Sequence, residues 1–169
     1  MNRYANAAAI GLTAFICLFT VGAAKADAPP APLQAFSLFD TSGRYISLSD
    51  YKGQYVVLNF WAFWCDTWKQ ELPSLINLYS DESADHFALL AVSIDGARLP
   101  VFERNTSGQK IPFPVLLDTG STVSKTYRVT HVPTVIILDR NGKVCYSTFG
   151  YPGNHVVLSE LRKIESSGL

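Results

Sequence analysis

The sequence predicts an α/β fold in which a central mixed β-sheet is covered by helices on both faces. Apolar, β-branched runs recur at residues 55–60, 87–94 and 134–139 without the alternation typical of half-exposed strands, so each is expected to be buried on both faces. Helix-like stretches lie between and after these runs, as in layered α/β domains. A chain of 169 residues suffices for one such domain with one hydrophobic core.

The first 26 residues are predicted to be a secretory signal peptide. Arg3 lies in a short basic region, residues 5–24 form an apolar run, and Ala24-Lys25-Ala26 has the small-x-small pattern of a cleavage site. The alternative is an uncleaved membrane anchor, because the run approaches the roughly 20 residues that span a bilayer. We therefore expect an exported, periplasmic protein, anchored in the membrane if the segment is retained.

The remaining chain divides into a linker and a domain. Residues 27–35 are rich in proline and are predicted to be an extended linker. The domain covers residues 36–169 and begins with a hairpin, since two short apolar runs at 36–39 and 45–48 flank a turn that contains Gly43. One helical turn at 49–53 follows it.

Four helices and two further strands complete the predicted domain. Residues 67–80 carry apolar side chains at near-helical spacing, and Pro73 within them predicts a bend. Asn141-Gly142 is a hairpin signal that joins the strand at 134–139 to one at 144–149. The other predicted elements are helices at 99–104, 121–127 and 155–164 and a short strand at 114–117.

Charge and cysteine content exclude several classes of function. Without residues 1–26 the chain has 12 basic and 14 acidic residues, because Arg3 and Lys25 are removed with the segment, so no basic surface indicates nucleic acid. Only Cys65 and Cys145 then remain, too few for a disulfide-built scaffold. The histidines and cysteines show no metal-ligand spacing, and no glycine-rich phosphate loop is present, so neither a metal nor a cofactor is expected.

Cys65 stands where an apolar run ends and a helical pattern begins. Backbone N–H groups and the positive end of the helix dipole favour a thiolate at such a position. The neighbouring Asp66 opposes this effect and Lys69, four residues beyond the cysteine, partly compensates for it. These features predict a reactive thiol, and the alternative is an inert, buried relic of an ancestral dithiol.

These residues resemble the thioredoxin superfamily and, within it, the exported TlpA-like and ResA-like thiol-disulfide oxidoreductases. The resemblance rests on residues 48–53, on VVLNFWAFWC at 56–65, on Glu71-Leu72-Pro73, and on Val132-Pro133-Thr134 with the IILDRNGKV that follows. It implies a thioredoxin-like fold with an N-terminal hairpin extension and a cis peptide at Val132–Pro133. That loop would lie beside Cys65 and hold an extended substrate segment.

The resemblance also implies roles for individual residues. Cys65 would be the nucleophile and Glu71 a proton acceptor, although a surface carboxylate is the alternative for Glu71. The substrate surface would include Trp64, Trp68, His131, Val132, Pro133 and Thr134. For His131 the alternative is a solvated loop histidine, and for Trp68 it is a bulky cap that packs over Trp64 and the start of the helix.

The sequence departs from the family in its active-site motif. Cys65-Asp66-Thr67-Trp68 replaces Cys-x-x-Cys, so no second thiol is present to resolve a mixed disulfide within the molecule. Cys145 is predicted to lie about 16 Å from the active-site end of its strand, whereas a disulfide needs Cα atoms roughly 4.4 to 6.8 Å apart. We therefore expect Cys145 to be a small buried strand residue.

Three functions are consistent with these patterns. The first is a monothiol oxidoreductase of the cell envelope, with protein or small-molecule thiols and disulfides as partners and an external thiol as reductant. The second is a non-catalytic module that binds extended peptides or apoproteins. The third is a one-cysteine peroxidase, which is disfavoured because Ala62 and Leu58 stand where peroxiredoxins carry threonine or serine and proline.

Overall fold

The structure is a computed structural model that describes residues 35–80, 86–96, 106 and 109–168. The predicted signal peptide, most of the linker and the predicted helix at 99–104 lie outside the described residues. Within those residues, no helix is both long enough and apolar enough to cross a bilayer.

The described chain forms two sheets. The strands are β1 (Ser37–Phe39), β2 (Tyr45–Ser47), β3 (Tyr55–Trp61), β4 (Phe87–Ser93), β5 (Val115–Leu117), β6 (Thr134–Leu138) and β7 (Val144–Phe149). The first two pair with each other, and the other five form one sheet in the order β5-β4-β3-β6-β7. Strands β3, β4 and β5 are parallel, whereas β6 is antiparallel to β3 and β7 to β6. The predicted mixed sheet is confirmed.

The described helices are α1 (Asp66–Ser80), α2 (Thr122–Thr126) and α3 (Asn154–Ser166), and a 3₁₀ turn covers Leu48–Tyr51. Helix α1 begins directly after Cys65 and continues through Pro73 without interruption. Its buried side is apolar, with Trp68, Leu72 and Leu75 directed into the core. The bend predicted at Pro73 stays a prediction.

The two central strands form the middle of the core. Every residue of β3 and of β6 is buried, as the absence of alternation in their sequences predicted. In the register between them, Phe60 of β3 lies opposite Thr134 of β6. The end of β3 and the beginning of β6 therefore lie side by side at the same end of the sheet. Cys65 follows β3 at this end.

The N-terminal hairpin is confirmed, and it is attached to β5, the outermost strand of the large sheet. Its turn is held by Asp40, whose Oδ1 accepts hydrogen bonds of 2.8 Å from the backbone N–H groups of Ser42 and Arg44. The backbone N–H of Thr41 donates to the carbonyl of Val115 at 3.0 Å. The hairpin thus covers part of the edge strand β5.

Candidate active site

Cys65 is the last residue before α1. The chain leaves β3 at Trp61 and turns at once, because the backbone N–H of Cys65 donates to the carbonyl of Ala62 at 3.1 Å. The turn places the sulfur at the N-terminal end of a 15-residue helix, where unpaired N–H groups favour a negative charge. The cysteine is 9% exposed.

Two oxygen atoms lie close to the sulfur of Cys65. The hydroxyl Oγ1 of Thr67 is 3.0 Å from Sγ, and the carbonyl oxygen of Val132 is 3.8 Å from it. A carbonyl only accepts, whereas a threonine hydroxyl also donates. When the thiol is deprotonated, Thr67 can therefore donate a hydrogen bond to the thiolate, a contact that the sequence did not single out.

The loop before β6 lies beside this sulfur. The peptide between Val132 and Pro133 is cis, as the resemblance implied. The loop is tied to β7 by a hydrogen bond of 2.8 Å from the N–H of Gly150 to the carbonyl of Pro133. The hydroxyl of Thr134 donates to the carbonyl of His131 at 2.7 Å. Both Val132 and Thr134 are buried at 8% exposure, so this segment offers backbone more than side chains to a substrate.

An aromatic surface flanks the loop. His131 is exposed, and its ring packs edge-on against Phe149 with 5.4 Å between the ring centroids. Phe149 pairs with Thr134 in the β6–β7 register and is 68% exposed. Trp64, immediately before Cys65, is also 68% exposed. Phe149 was not predicted from the sequence, because only the strand register places it next to the loop.

Trp68 occupies the position of the missing second thiol and is buried. Only 3% of it is exposed. Its ring lies against Trp61 at 4.2 Å between centroids and edge-on to Phe63 at 6.1 Å. Trp68 therefore fills the core beneath the surface, and the exposed indole next to Cys65 is that of Trp64.

The charged side chains at the start of α1, Asp66 and Lys69, form an ion pair. The ammonium of Lys69 lies 3.1 Å from Oδ1 of Asp66, in an ion pair whose carboxylate is 86% exposed. The lysine that was expected to compensate for Asp66 therefore pairs with it directly. The two charges offset each other, so the groups next to the sulfur are the start of the helix, the hydroxyl of Thr67 and the carbonyl of Val132.

Glu71 lies one turn further along α1 and is half-buried. Burial raises the pKa of its carboxyl, and a hydrogen bond from the backbone N–H of Tyr151 partly counters that rise. Its Oε2 is buried without a hydrogen-bond partner among the described residues. Burial also raises the pKa of the Tyr151 hydroxyl, which donates to Oδ1 of Asn154. Glu71 is thus a partly buried carboxyl next to the strand end that holds the cis-proline loop.

A second acidic residue holds the loop that leads to Cys65. Asp95 follows β4, and its Oδ2 accepts a hydrogen bond of 2.8 Å from the backbone N–H of Phe63. Its Oδ1 accepts another, of 2.6 Å, from the hydroxyl of Ser93. Since β4 runs parallel to β3, the two strand ends lie side by side and this carboxylate ties them together. The sequence signal for it is an acidic residue directly after a buried parallel strand.

Cys145 is placed away from this site. It lies at an irregularity of the β6–β7 pairing next to Leu138, the end of β6 opposite to Thr134. Its thiol donates to the carbonyl of Lys143 at 3.6 Å, and burial raises its pKa. Both Cys65 and Cys145 are free thiols in the structure.

No group of three or more histidine, cysteine or acidic side chains is arranged to hold a metal ion in the part of the chain that the structure describes.

Comparison with known proteins identifies the family. The sequence profile of the AhpC/TSA family matches residues 29–147. The chain belongs to the AhpC/TSA family. One relative is the thiol-disulfide oxidoreductase ResA from Bacillus subtilis, which is 35% identical over 80% of this chain and 74% of that protein. Another is ResA from Geobacillus thermodenitrificans, which is 36% identical over 81% of this chain and 77% of that protein.

Solved structures show that this AhpC/TSA-family chain has the thioredoxin-like fold. The exposed lipoprotein thioredoxin Etrx1 from Streptococcus pneumoniae is 30% identical, with a TM-score of 0.69 over 77% of this chain and 99% of the other. StoA from Bacillus subtilis is 27% identical, with a TM-score of 0.67 over 78% of this chain and 99% of StoA. The expected fold class and superfamily are confirmed. The function of this chain must also be consistent with a motif at residues 65–68 that has one cysteine in place of two.

Proposed function

We propose that this protein is a thiol-disulfide oxidoreductase that works with one thiol. The observation that carries the proposal is the sulfur of Cys65, which lies at a helix start, 3.0 Å from the hydroxyl of Thr67 and beside the loop at Val132. The similarity to ResA proteins supports the reaction class. The buried Trp68 in place of a second thiol supports the one-thiol cycle.

The cycle has two exchange steps. The thiolate of Cys65 attacks one sulfur of a disulfide R–S–S–R′, so that a bond between Cys65 and R forms and R′ leaves as a thiolate. An external thiol then breaks this mixed disulfide. One cysteine suffices for both steps, and the external thiol supplies the electrons that a second cysteine would otherwise provide.

The aromatic surface made by Trp64, His131 and Phe149 is proposed to bind the substrate. An extended segment that lies along the cis-proline loop would place its sulfur next to Cys65 and its apolar side chains against Trp64 and Phe149. Val132, Pro133 and Thr134 would supply backbone contacts, and Trp68 would support the surface from below. Partners of this kind are protein or small-molecule thiols and disulfides.

Glu71 is proposed to exchange protons with the thiols that pass through the site. Its half-buried carboxyl, with a pKa raised by burial, is able to hold a proton at a higher pH than an exposed glutamate does. Its hydrogen bond to the Tyr151 N–H orients it toward the end of β7, which is joined to Pro133 through Gly150. We assign it proton transfer rather than nucleophilic attack.

The proposed setting is the cell envelope. Residues 1–26 would direct the chain out of the cytoplasm or anchor it, and residues 27–35 would separate that segment from the domain at 36–169. In such a compartment disulfide substrates persist.

The experiment is a reaction with glutathione disulfide, followed by mass spectrometry of each cysteine. We expect a mixed disulfide at Cys65 in the wild-type protein and none at that position in Cys65→Ser. Cys145→Ser is the matched control, and its rate should equal that of the wild type. A wild-type protein that forms no adduct at Cys65 at neutral or alkaline pH contradicts the proposal.

A peptide-binding module without catalysis is the second candidate, and the exposure of Trp64 and Phe149 favours it. It differs from the first proposal in one prediction: capture of an extended, apolar peptide should survive Cys65→Ser and be lost in Trp64→Ala. Fluorescence anisotropy of a labelled peptide with and without a cysteine separates the two. Binding that requires both the peptide's cysteine and Cys65 supports the oxidoreductase.

A further inference from the structure

The release step has two possible targets, and the structure distinguishes them. In a mixed disulfide between Cys65 and a partner, an incoming thiolate attacks either the partner's sulfur or that of Cys65. The attacking, central and leaving sulfur atoms lie in a line. An attack on Cys65 must therefore come from the side opposite the partner, which is the protein side of the sulfur.

Trp68 closes that side. It lies three residues beyond Cys65, about one helical turn from it, in the first turn of α1. Its indole is 3% exposed and packs against Trp61 at 4.2 Å between centroids. The carbonyl of Val132, 3.8 Å from the sulfur, bounds another side. The position from which a second cysteine would attack is thus held by a buried, packed indole.

Thr67 favours Cys65 as the leaving sulfur. Its hydroxyl lies 3.0 Å from the sulfur and is exposed at the start of α1, so it is free to turn its hydrogen toward a developing negative charge. A hydrogen bond to a charged sulfur is stronger than one to a neutral sulfur. It therefore stabilises Cys65 in the transition state in which that sulfur departs.

We propose that the releasing thiol attacks the partner's sulfur and expels Cys65 as a thiolate, with Trp68 blocking the alternative and Thr67 acting as a catalytic hydrogen-bond donor. This inference rests on the proposed one-thiol function. The two steps sum to R–S–S–R′ plus R″S⁻ giving R–S–S–R″ plus R′S⁻. One disulfide is consumed and one is formed, so the protein exchanges the thiol partner of a disulfide without net oxidation or reduction.

The test uses a mixed disulfide in which the bound thiol and the incoming thiol are both glutathione. Full-length protein with Cys17→Ser and Cys145→Ser is converted at Cys65 to its glutathione adduct with an activated glutathione reagent, which does not depend on catalysis. Excess isotopically labelled glutathione is then added, and the first turnover is followed by mass spectrometry. Because both glutathiones have the same chemistry, only the protein decides which sulfur is attacked.

Three outcomes are distinguishable. We expect the adduct to give free Cys65 and a disulfide between one labelled and one unlabelled glutathione. Labelled glutathione appearing on Cys65, with unlabelled glutathione released as a thiol, overturns the inference and leaves the one-thiol function standing. An adduct that does not react at all contradicts the proposed function itself.

Variants assign the two roles. Thr67→Val, which keeps the shape and removes the hydroxyl, should slow release about tenfold, as loss of one charge-assisted hydrogen bond typically does. Thr67→Ser, which keeps the hydroxyl, should restore the rate. Trp68→Ala should increase the share of label found on Cys65. Equal release rates in Thr67→Val and Thr67→Ser overturn the role of the hydroxyl, whether or not Trp68→Ala folds.

Discussion

The two thiols of the domain, Cys65 and Cys145, have similar local settings in the sequence and different ones in the structure. Each follows a buried strand and a turn. Cys65 is 9% exposed and faces a hydroxyl at the start of a helix. Cys145 is more exposed, and its thiol donates to the carbonyl of Lys143. Burial raises its pKa, although a hydrogen bond from the backbone of Asp139 partly counters that rise. Each thiol lies near a carbonyl oxygen, so the features that distinguish Cys65 are its place at the start of a helix and the neighbouring hydroxyl of Thr67.

The largest expected effect comes from giving Cys65 a nearby second thiol, because Cys145 is too distant to form a disulfide with it. In Trp68→Cys, oxidation should join positions 65 and 68, because a thiol one helical turn away attacks with a high effective molarity. Mixed disulfides at Cys65 should then accumulate at least about tenfold less than in the wild type. The measurement is the adduct yield, together with the loss of two mass units and its reversal by dithiothreitol.

Trp64→Cys is the control for that variant. Trp64 is 68% exposed, so a thiol at this position is directed to solvent, and mixed disulfides at Cys65 should still accumulate. A bond between positions 65 and 145 in either variant would contradict the separation of the two thiols in the fold.

The second prediction concerns the two tryptophans beside Cys65. Trp68→Ala should lower the free energy of unfolding by about 3–5 kcal/mol, because it removes a buried ring from the core. Trp64→Ala should change it by less than about 0.5 kcal/mol, as is usual for an exposed side chain. Urea denaturation followed by circular dichroism measures both. Equal losses would mean that Trp68 does not support the active site from below.

The third prediction compares the carboxylates near the two thiols. Asp95 holds the loop before Cys65, and Asp139 holds the turn before Cys145 by accepting from the N–H groups of Asn141 and Lys143 at 2.8 Å. Asp95→Asn should slow adduct formation at Cys65 roughly tenfold, the cost of one weakened charge-assisted hydrogen bond. Asp139→Asn should affect stability but leave that rate unchanged. If both variants slow Cys65 equally, Asp95 acts through stability alone.

The smallest expected effect is the pH dependence that Glu71 adds to stability. Burial raises the pKa of Glu71 above its ordinary value of 4.5, so the folded protein binds this proton more tightly than the unfolded chain does. The contribution of Glu71 to stability is most favourable below its pKa in the unfolded chain, and it is lost as pH rises through its pKa in the folded protein. Glu71→Gln should therefore gain stability relative to the wild type between pH 4 and pH 7, as measured by urea denaturation at each pH.

Glu160→Gln is the control for the carboxyl at position 71. Glu160 pairs with Lys163 on α3, in a surface ion pair that is expected to contribute little. A Glu71→Gln variant whose stability relative to the wild type does not change with pH would contradict the assignment of Glu71 as a partly buried carboxyl.

The strands were predictable because they depend on local patterns, and the cis-proline loop because the resemblance to a known family implies it. Unbroken apolar runs specified β3, β4 and β6, and the motif around Pro133 implied the cis bond. The contacts of Asp95 and Phe149 were not predictable in this way, because they depend on how separate strand ends meet. The contact of Thr67 with Cys65 is local, but it depends on the side-chain geometry at the start of the helix. Asp66 and Lys69 form an i,i+3 pair within one helix, so their contact is also local.

The central claim is tested most directly by competition between the two sulfurs in one molecule. Wild-type protein is treated with a limiting amount of iodoacetamide at pH 7.5, and the alkylated fractions of Cys65 and Cys145 are measured by mass spectrometry. The account predicts that Cys65 reacts first, at least about tenfold faster, although it is the less exposed of the two. Faster alkylation of Cys145 would show that exposure decides reactivity and would contradict the assignment of Cys65 as the nucleophile.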